Sequence, residues 1–185
     1  MRRGFVRPAL ATFVAVLFAL GWSVADGVGD NDNNDVDPEA NAIVAGERIG
    51  DLPPIGTPGA VIRSMPNATT LEITVPPGTL YRFADDGDAW LYTVTVCAAS
   101  DSTWLVTIHA HSENERFTTA EGVGLASSED AVLAALGEPD VINESSVFRS
   151  LRYEAIDGSG GLMIVYRLDD LEEADRVSVY GACDG

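Results

Sequence analysis

The feature of the sequence that most constrains the fold is a short, sharply bounded helix within the stretch from Thr119 to Asp140. Ser128 suits the N-cap, because its hydroxyl can accept a hydrogen bond from a backbone N–H one turn on. Gly137 and Pro139 end the helix. Its apolar stripe at helical spacing is made by Val132, Leu133 and Leu136. A helix of about ten residues is marginal alone, so packing must hold it in place.

A second stretch of the same kind lies 71 positions upstream (128 − 57). Thr57 stands where Ser128 stands, and Pro58 takes the first helical position, where its missing N–H costs nothing. The apolar residues recur at the same offset, as Ala60, Val61, Ile62 and Met65. The final strands match as well, 106–108 with 177–179. One offset that holds from cap to last strand predicts an internal repeat.

Each predicted helix is followed by short segments rich in β-branched and aromatic residues, separated by turn signals. Consecutive strands joined by short turns imply antiparallel pairing. The predicted fold class is therefore α+β, with two tandem repeats, each a short helix packed on an antiparallel sheet of three or four strands.

The domain organisation follows from composition. Residues 1–25 have a basic start, an apolar run too short for a comfortable membrane span, and a small-residue cleavage site, which predicts an export signal. An uncleaved anchor is the alternative. Residues 26–42 are acidic and predict a disordered linker. Repeat unit 1 is predicted over 43–113 and repeat unit 2 over 114–185. The predicted protein is exported, to the periplasm or the medium, and does not span the membrane after cleavage.

The chain is strongly acidic, with a formal net charge of −18 and no lysine. Removal of 1–25 would take away three arginines and no acids, which gives 8 − 29 = −21. Such a charge opposes binding to nucleic acid and to anionic lipid surfaces. It favours solubility or a basic partner.

One segment has the side chains of a metal site. If the strand ending near His109 continues, four potential ligands share one face at period two: His109, His111, Glu113 and Glu115. At the repeat offset the two histidines match Tyr180 and Ala182, and the two glutamates fall in the connector between units. We therefore predict no metal site, no cofactor, no catalytic residue and no small-molecule substrate.

The chain contains two cysteines, Cys97 and Cys183. Export and an even count predict a disulfide between them, with two buried free thiols as the alternative. The two residues do not match each other at the repeat offset. A bridge would therefore tie the end of an inner strand of unit 1 to the tail of unit 2.

The second half carries a recognisable series of motifs: Gly122-Val123-Gly124, Ser128-Glu129-Asp130-Ala131-Val132, Leu136-Gly137-Glu138-Pro139, Leu151-Arg152-Tyr153, Gly161-Leu162 and Arg176-Val177-Ser178-Val179. This series resembles the helix-plus-sheet module of the SmpA/OmlA-type outer-membrane assembly lipoproteins. Its tandem duplication resembles the secreted β-lactamase-inhibitor protein family. The resemblance implies a concave sheet surface that grips another protein. The chain departs from these families in having only two cysteines and no lipid attachment cysteine.

The predicted function is therefore that of a secreted, non-catalytic protein-binding module, with inhibition of an extracellular enzyme as one role. A structural or assembly factor of the cell envelope is the alternative, and a metal-dependent hydrolase ranks below both. The candidate contact residues lie on the sheet face opposite Val106, Ile108, Val177 and Val179, and comprise Arg82, His109, Arg152, Arg176 and Tyr180. Another interpretation is that these arginines only pair with neighbouring acids. The inner face of 89–97 is left open, because Trp90, Tyr92 and Val94 compete with Leu91 and Thr93.

Overall fold

The computed structural model describes residues 38–73, 78–84, 89–155 and 158–183. The predicted export signal and most of the predicted linker lie outside these residues. The predicted boundaries of the signal and of the two units stay predictions. Within the described linker positions, residues 38–41 form a 3₁₀ helix, and Ala42 bridges to Thr118. In the described part of the chain, no helix has both the length and the apolar character needed to cross a bilayer.

The described residues form ten strands and two α-helices. In chain order these are β1 (Ile43–Val44), β2 (Arg48–Ile49), α1 (Gly59–Ser64), β3 (Thr69–Ile73), β4 (Gly78–Ala84), β5 (Trp90–Cys97), β6 (Thr103–His109), α2 (Glu129–Leu136), β7 (Val141–Glu144), β8 (Phe148–Glu154), β9 (Gly160–Arg167) and β10 (Asp170–Gly181). A second 3₁₀ helix covers Ser112–Asn114.

The predicted fold class is wrong, because the strands do not form two separate helix-covered sheets. They build one antiparallel sheet of eight strands in the order β3-β4-β5-β6-β10-β9-β8-β7, beside a small sheet of β1 and β2. The two halves join where β6 pairs with β10, with Thr107 opposite Ser178. Backbone hydrogen bonds cross this junction, so each half completes the sheet of the other. Side-chain alternation along a strand does not specify which strand edges pair with each other. The sequence analysis therefore did not predict the pairing of β6 with β10.

Both helices sit near the predicted positions, but they do not superpose at the offset of 71. The fully buried side chain of α1 is Ile62, whereas that of α2 is Val132, 70 positions on. Val61, which the offset equates with Val132, is 49% exposed. The predicted cap Thr57 is also wrong. Its hydroxyl donates to the carbonyl of Pro54 at 2.8 Å, and α1 begins after Pro58 without a side-chain cap.

Ser128 is confirmed as the N-cap of α2, because its hydroxyl accepts from the backbone N–H of Ala131 at 3.2 Å. We expect Ser128→Ala to lower the free energy of unfolding by about 1 kcal/mol, since the N–H then loses its partner. Thr57→Ala is the control, expected to change it by no more than about 0.5 kcal/mol, as for a surface substitution. Urea denaturation of the two variants checks the difference. Equal midpoints would contradict it.

The core lies on one face of the eight-stranded sheet. The alternation predicted for the central strands is confirmed, because Val106, Ile108, Val177 and Val179 are all fully buried. The helices cover this face together with the loop between β6 and α2, which contributes Phe117, Val123 and Leu125. The Tyr166 hydroxyl donates to the carbonyl of Ser127 at 3.1 Å and so anchors that loop. The opposite face of the sheet is not part of this core.

The predicted disulfide between Cys97 and Cys183 is confirmed. Cys97 ends β5, and Cys183 follows β10. In the sheet order β6 lies between these strands. The bridge therefore ties together two strands that are not hydrogen-bonded to each other.

Candidate binding face

The sheet face opposite the helices is called the open face here. Its central strands present a polar floor of hydroxyl groups, formed by Thr93 and Thr95 of β5, Thr107 of β6 and Ser178 of β10. Thr107 and Ser178 are hydrogen-bonded at 2.9 Å across the junction of the two halves. Aromatic, arginine and aliphatic side chains surround this floor. The predicted contact residues stand among them.

At one end of the open face, Arg82, Trp90 and His109 contact one another in a row. The Arg82 guanidinium lies 5.4 Å from the centroid of the Trp90 ring, within the range of a cation–π interaction. The Trp90 ring meets the His109 ring edge-to-face at 5.3 Å. The His109 Nε2 atom lies 3.4 Å from the hydroxyl of Thr93. These contacts restrict the orientation of both rings.

The row continues across the junction of the two halves, because Arg176 of β10 is the Cα partner of His109. The Arg176 guanidinium lies 4.8 Å from the centroid of the Phe148 ring on β8. Its Nε atom is 2.9 Å from the carboxylate of the neighbouring Asp175. The Arg176 side chain thus contacts both an aromatic ring and a carboxylate.

A second cluster lies at the other end of the open face, where Arg152 of β8 meets Tyr180 of β10. The Arg152 Nε donates to the Tyr180 hydroxyl at 3.1 Å, and its Nη2 donates to Glu154 at 2.8 Å. Gly161 makes room for the phenol, because a Cβ there would collide with the Tyr180 hydroxyl and the carbonyl of Tyr153. The glycines of 158–161 are typical of a hairpin turn, but Gly160 and Gly161 belong to β9.

All five predicted contact residues therefore reach the open face, in two clusters. The alternative interpretation also holds in part, since Arg152 and Arg176 do pair with neighbouring acids. Ion pairs as exposed as Arg152 with Glu154 add little stability, with a median of about 0–1 kcal/mol. Their main effect here is to fix the direction of each guanidinium.

Burial lowers the pKa of His109 from its ordinary 6.5 to about 4; nearby Arg176 acts in the same direction, and Asp175 opposes it. His109 is therefore neutral near pH 7. Its contribution to the open face is a ring and a hydrogen bond rather than a charge.

This lowered pKa predicts an acid-sensitive fold. Between pH 6.5 and about 4 the unfolded chain binds a proton at His109 that the folded protein does not. The free energy of unfolding must therefore fall as the pH drops through this window. We expect the Cε1–H resonance of His109 to titrate near pH 4. We also expect His109→Gln to make the free energy of unfolding less dependent on pH between pH 6.5 and about 4. A titration midpoint at 6.5 would refute the prediction.

Two features of the open face escaped the sequence analysis. The β4–β5 register shifts between Phe83 and Ala84, which pairs Tyr92 with Phe83 and Trp90 with Ala84. This β-bulge puts Trp90 on the side of Thr93, while Val94 and Val96 keep to the core. Trp104 is the extra residue at a second register shift, because Thr95 pairs with Leu105 and Val96 with Thr103. No signal in the sequence marks either bulge, because a bulge is a property of two paired strands.

A groove runs along the middle of the open face. Its central part has a volume of about 230 Å³ and lies over the polar floor, between Trp90 and Trp104. The adjoining part, of about 390 Å³, reaches Arg152 and Tyr180. Trp104, Leu105 and Met163 line both parts. The two parts therefore adjoin, one next to Arg176 of the first cluster and the other next to Arg152 of the second.

The two histidines considered above as metal ligands have other contacts in the structure. His109 faces Trp90 and Thr93, whereas the Nδ1 of His111 accepts from the backbone N–H of Glu113 at 3.2 Å and caps the 3₁₀ helix there. Across the described residues, no three histidine, cysteine or acidic side chains lie close enough together to hold a metal ion.

Comparisons with known proteins give little. No protein-family model matches the chain, and no curated protein matches it. A crystal structure of a DUF4309-family protein (YjgB) from Bacillus subtilis matches with a TM-score of 0.29 and 12% identity over 63% of this chain. The match spans 65% of the length of that protein. A likeness at this level carries no argument about fold or function. The resemblance to the lipoprotein and inhibitor families stays a prediction.

Proposed function

We propose that the protein is a non-catalytic binding module whose open face holds another protein. The observation that carries this proposal is the pair of arginine clusters, bordering a groove, on the sheet face that the helices leave uncovered. Arginine, tryptophan and tyrosine are the residues in which binding energy concentrates at protein interfaces. Within this chain, three of the eight arginines outside the predicted signal lie here.

The clusters are also held in place before binding. Arg82 lies over Trp90, Arg176 over Phe148 and Arg152 against Tyr180, all on strands of one sheet. Side chains that are already ordered lose less entropy on binding. This pre-organisation supports a recognition role over a merely solvated surface.

The charge pattern of the open face indicates what kind of surface the partner must offer. The protein carries a formal net charge of −18, yet Arg82, Arg152 and Arg176 gather on one face. The complementary surface is one that offers carboxylates to these arginines and apolar side chains to the groove. Inhibition of an extracellular enzyme and a role in envelope assembly are both roles for such a module. The location of the partner, in the medium or in the envelope, separates them.

The test is a variant that truncates Arg82 of the first cluster and both members of the second, Arg82→Ala with Arg152→Ala and Tyr180→Ala. The wild-type protein first captures its partner from the culture medium and envelope fraction of its own organism, and the purified partner then gives a Kd. We expect the variant to bind about 100-fold more weakly, because each cluster loses an anchor.

The matched control is Arg48→Ala with Arg116→Ala. It also removes two positive charges, but at positions outside the open face. Circular dichroism must show that both variants are folded. An unchanged Kd for the open-face variant, or an equal loss in the control, would overturn the proposal.

A further inference from the structure

The centre of the groove holds two polar groups that the rest of the protein leaves unpaired. Thr95 is 1% exposed, and its hydroxyl makes no hydrogen bond within the described part of the chain. The indole N–H of Trp104 is buried and equally without a partner there. The neighbouring hydroxyls of Thr93 and Thr107 are both paired, with His109 and Ser178. Buried polar groups are nearly always paired, so an unpaired group calls for a reason, and these two line the same groove.

The two unpaired groups belong to residues that line the same part of the groove. Gly78, the first residue of β4, lies beside both of them. A Cβ added there would lie 3.4 Å from the Cγ2 methyl of Thr95 and 3.6 Å from the Nε1 of Trp104, and it would collide with the backbone carbonyl of Val96. The threonine side chain and the indole N–H are therefore near neighbours at this end of the groove.

The chemistry of these groups limits what can satisfy them. An indole N–H only donates, whereas a threonine hydroxyl both donates and accepts. A group that offers an oxygen to Trp104 and an N–H to Thr95 satisfies both at once. A primary carboxamide is such a group and is neutral, so burying it avoids the large cost of burying a carboxylate. The aliphatic wall of the groove suits an apolar stem, and consists of Leu80, Leu105, Met163 and Val165.

We infer that this part of the groove is a subsite for a carboxamide group on a short apolar stem. A glutamine side chain of the bound protein is the source we assign to it, and this assignment rests on the proposed function. A free small amide offers the same chemistry, and the experiment below separates the two sources.

The probes are butyramide and 2-pentanone, which differ only in an amide NH₂ in place of a methyl group. The readout is the indole N–H resonance of Trp104 in the purified protein with its disulfide intact, assigned by its loss in Trp104→Phe. We expect butyramide to move this resonance downfield to saturation and 2-pentanone to bind about fivefold more weakly, the worth of one hydrogen bond. Thr95→Val should abolish the difference between the probes.

Thr95→Val keeps the shape of the side chain and removes a hydroxyl without a partner, so the variant should fold. If it does not, Trp104→Phe takes its place, with binding read from the probe's own proton resonances, and must weaken butyramide by a similar factor. The inference would be overturned if the resonance did not move downfield or if the two probes bound equally well. It would also be overturned if p-cresol, a phenol without an amide group, bound more tightly than butyramide.

The last measurement is the Kd of the purified partner for the Thr95→Val variant. A partner-borne glutamine predicts that Thr95→Val weakens the partner about fivefold, again the loss of one hydrogen bond. An unchanged partner Kd, with butyramide still selected over 2-pentanone, would overturn the glutamine source in favour of a free amide. This outcome is independent of the variant Arg82→Ala with Arg152→Ala and Tyr180→Ala, which alone tests whether the open face binds the partner.

Discussion

Replacing Cys97 and Cys183 by alanine is expected to lower the free energy of unfolding by about 4 kcal/mol. The bridge joins residues 86 positions apart, so it removes a large loop-closure entropy from the unfolded chain. It also holds the tail after β10 across the start of β6, beside the groove residues Trp104 and Ala182. Since domains are typically stable by only about 5–15 kcal/mol, the variant should lose a large part of its stability. Chemical denaturation at neutral pH measures the loss.

Wild-type protein reduced by a thiol reagent is the control for this prediction. Cys97 is fully buried, so its truncation also leaves a small cavity, whereas reduction leaves the packing volume nearly intact. Reduced wild type and the double variant should therefore lose similar amounts. A loss of less than about 1 kcal/mol in both would mean that the unfolded chain is already compact without the bridge.

Ile164→Ala is expected to cost about 2–5 kcal/mol, because truncating a buried isoleucine loses burial and leaves a cavity. Ile164 is fully buried at the middle of β9. The matched control is Ile142→Ala on the edge strand β7. Ile142 pairs with Leu151, and Leu151 pairs with Ile164, so both isoleucines belong to one row across the sheet.

Burial is the main difference between the two isoleucines, since Ile142 is 50% exposed. Its truncation should change the free energy of unfolding by about 0.5 kcal/mol or less. Thermal and urea unfolding of both variants give the comparison. Similar losses at the two positions would show that the core does not centre on the inner strands, contrary to the structure.

Local chemistry in the sequence was enough to predict several features. Alternation placed Val106 and Ile108 in the core, since side chains of a strand point to opposite faces at period two. The Ser128 cap was predictable because a cap involves residues within one turn. The Cys97–Cys183 bridge was predicted from an even cysteine count and from export, which itself stays a prediction. The five predicted contact residues lie on the open face because they alternate with core residues.

Only the tertiary structure decided how the two halves combine and what fills the open face. The junction of β6 with β10 depends on which strand edges meet, and the alternation of either strand is the same whether they pair or not. Trp90 and Trp104 reached the groove through β-bulges, which exist only in the register between two strands. The sequence thus determined which side chains suit each face. Hydrogen bonding between strands distant in the chain determined which of them meet, and so created the groove, because that pairing is non-local.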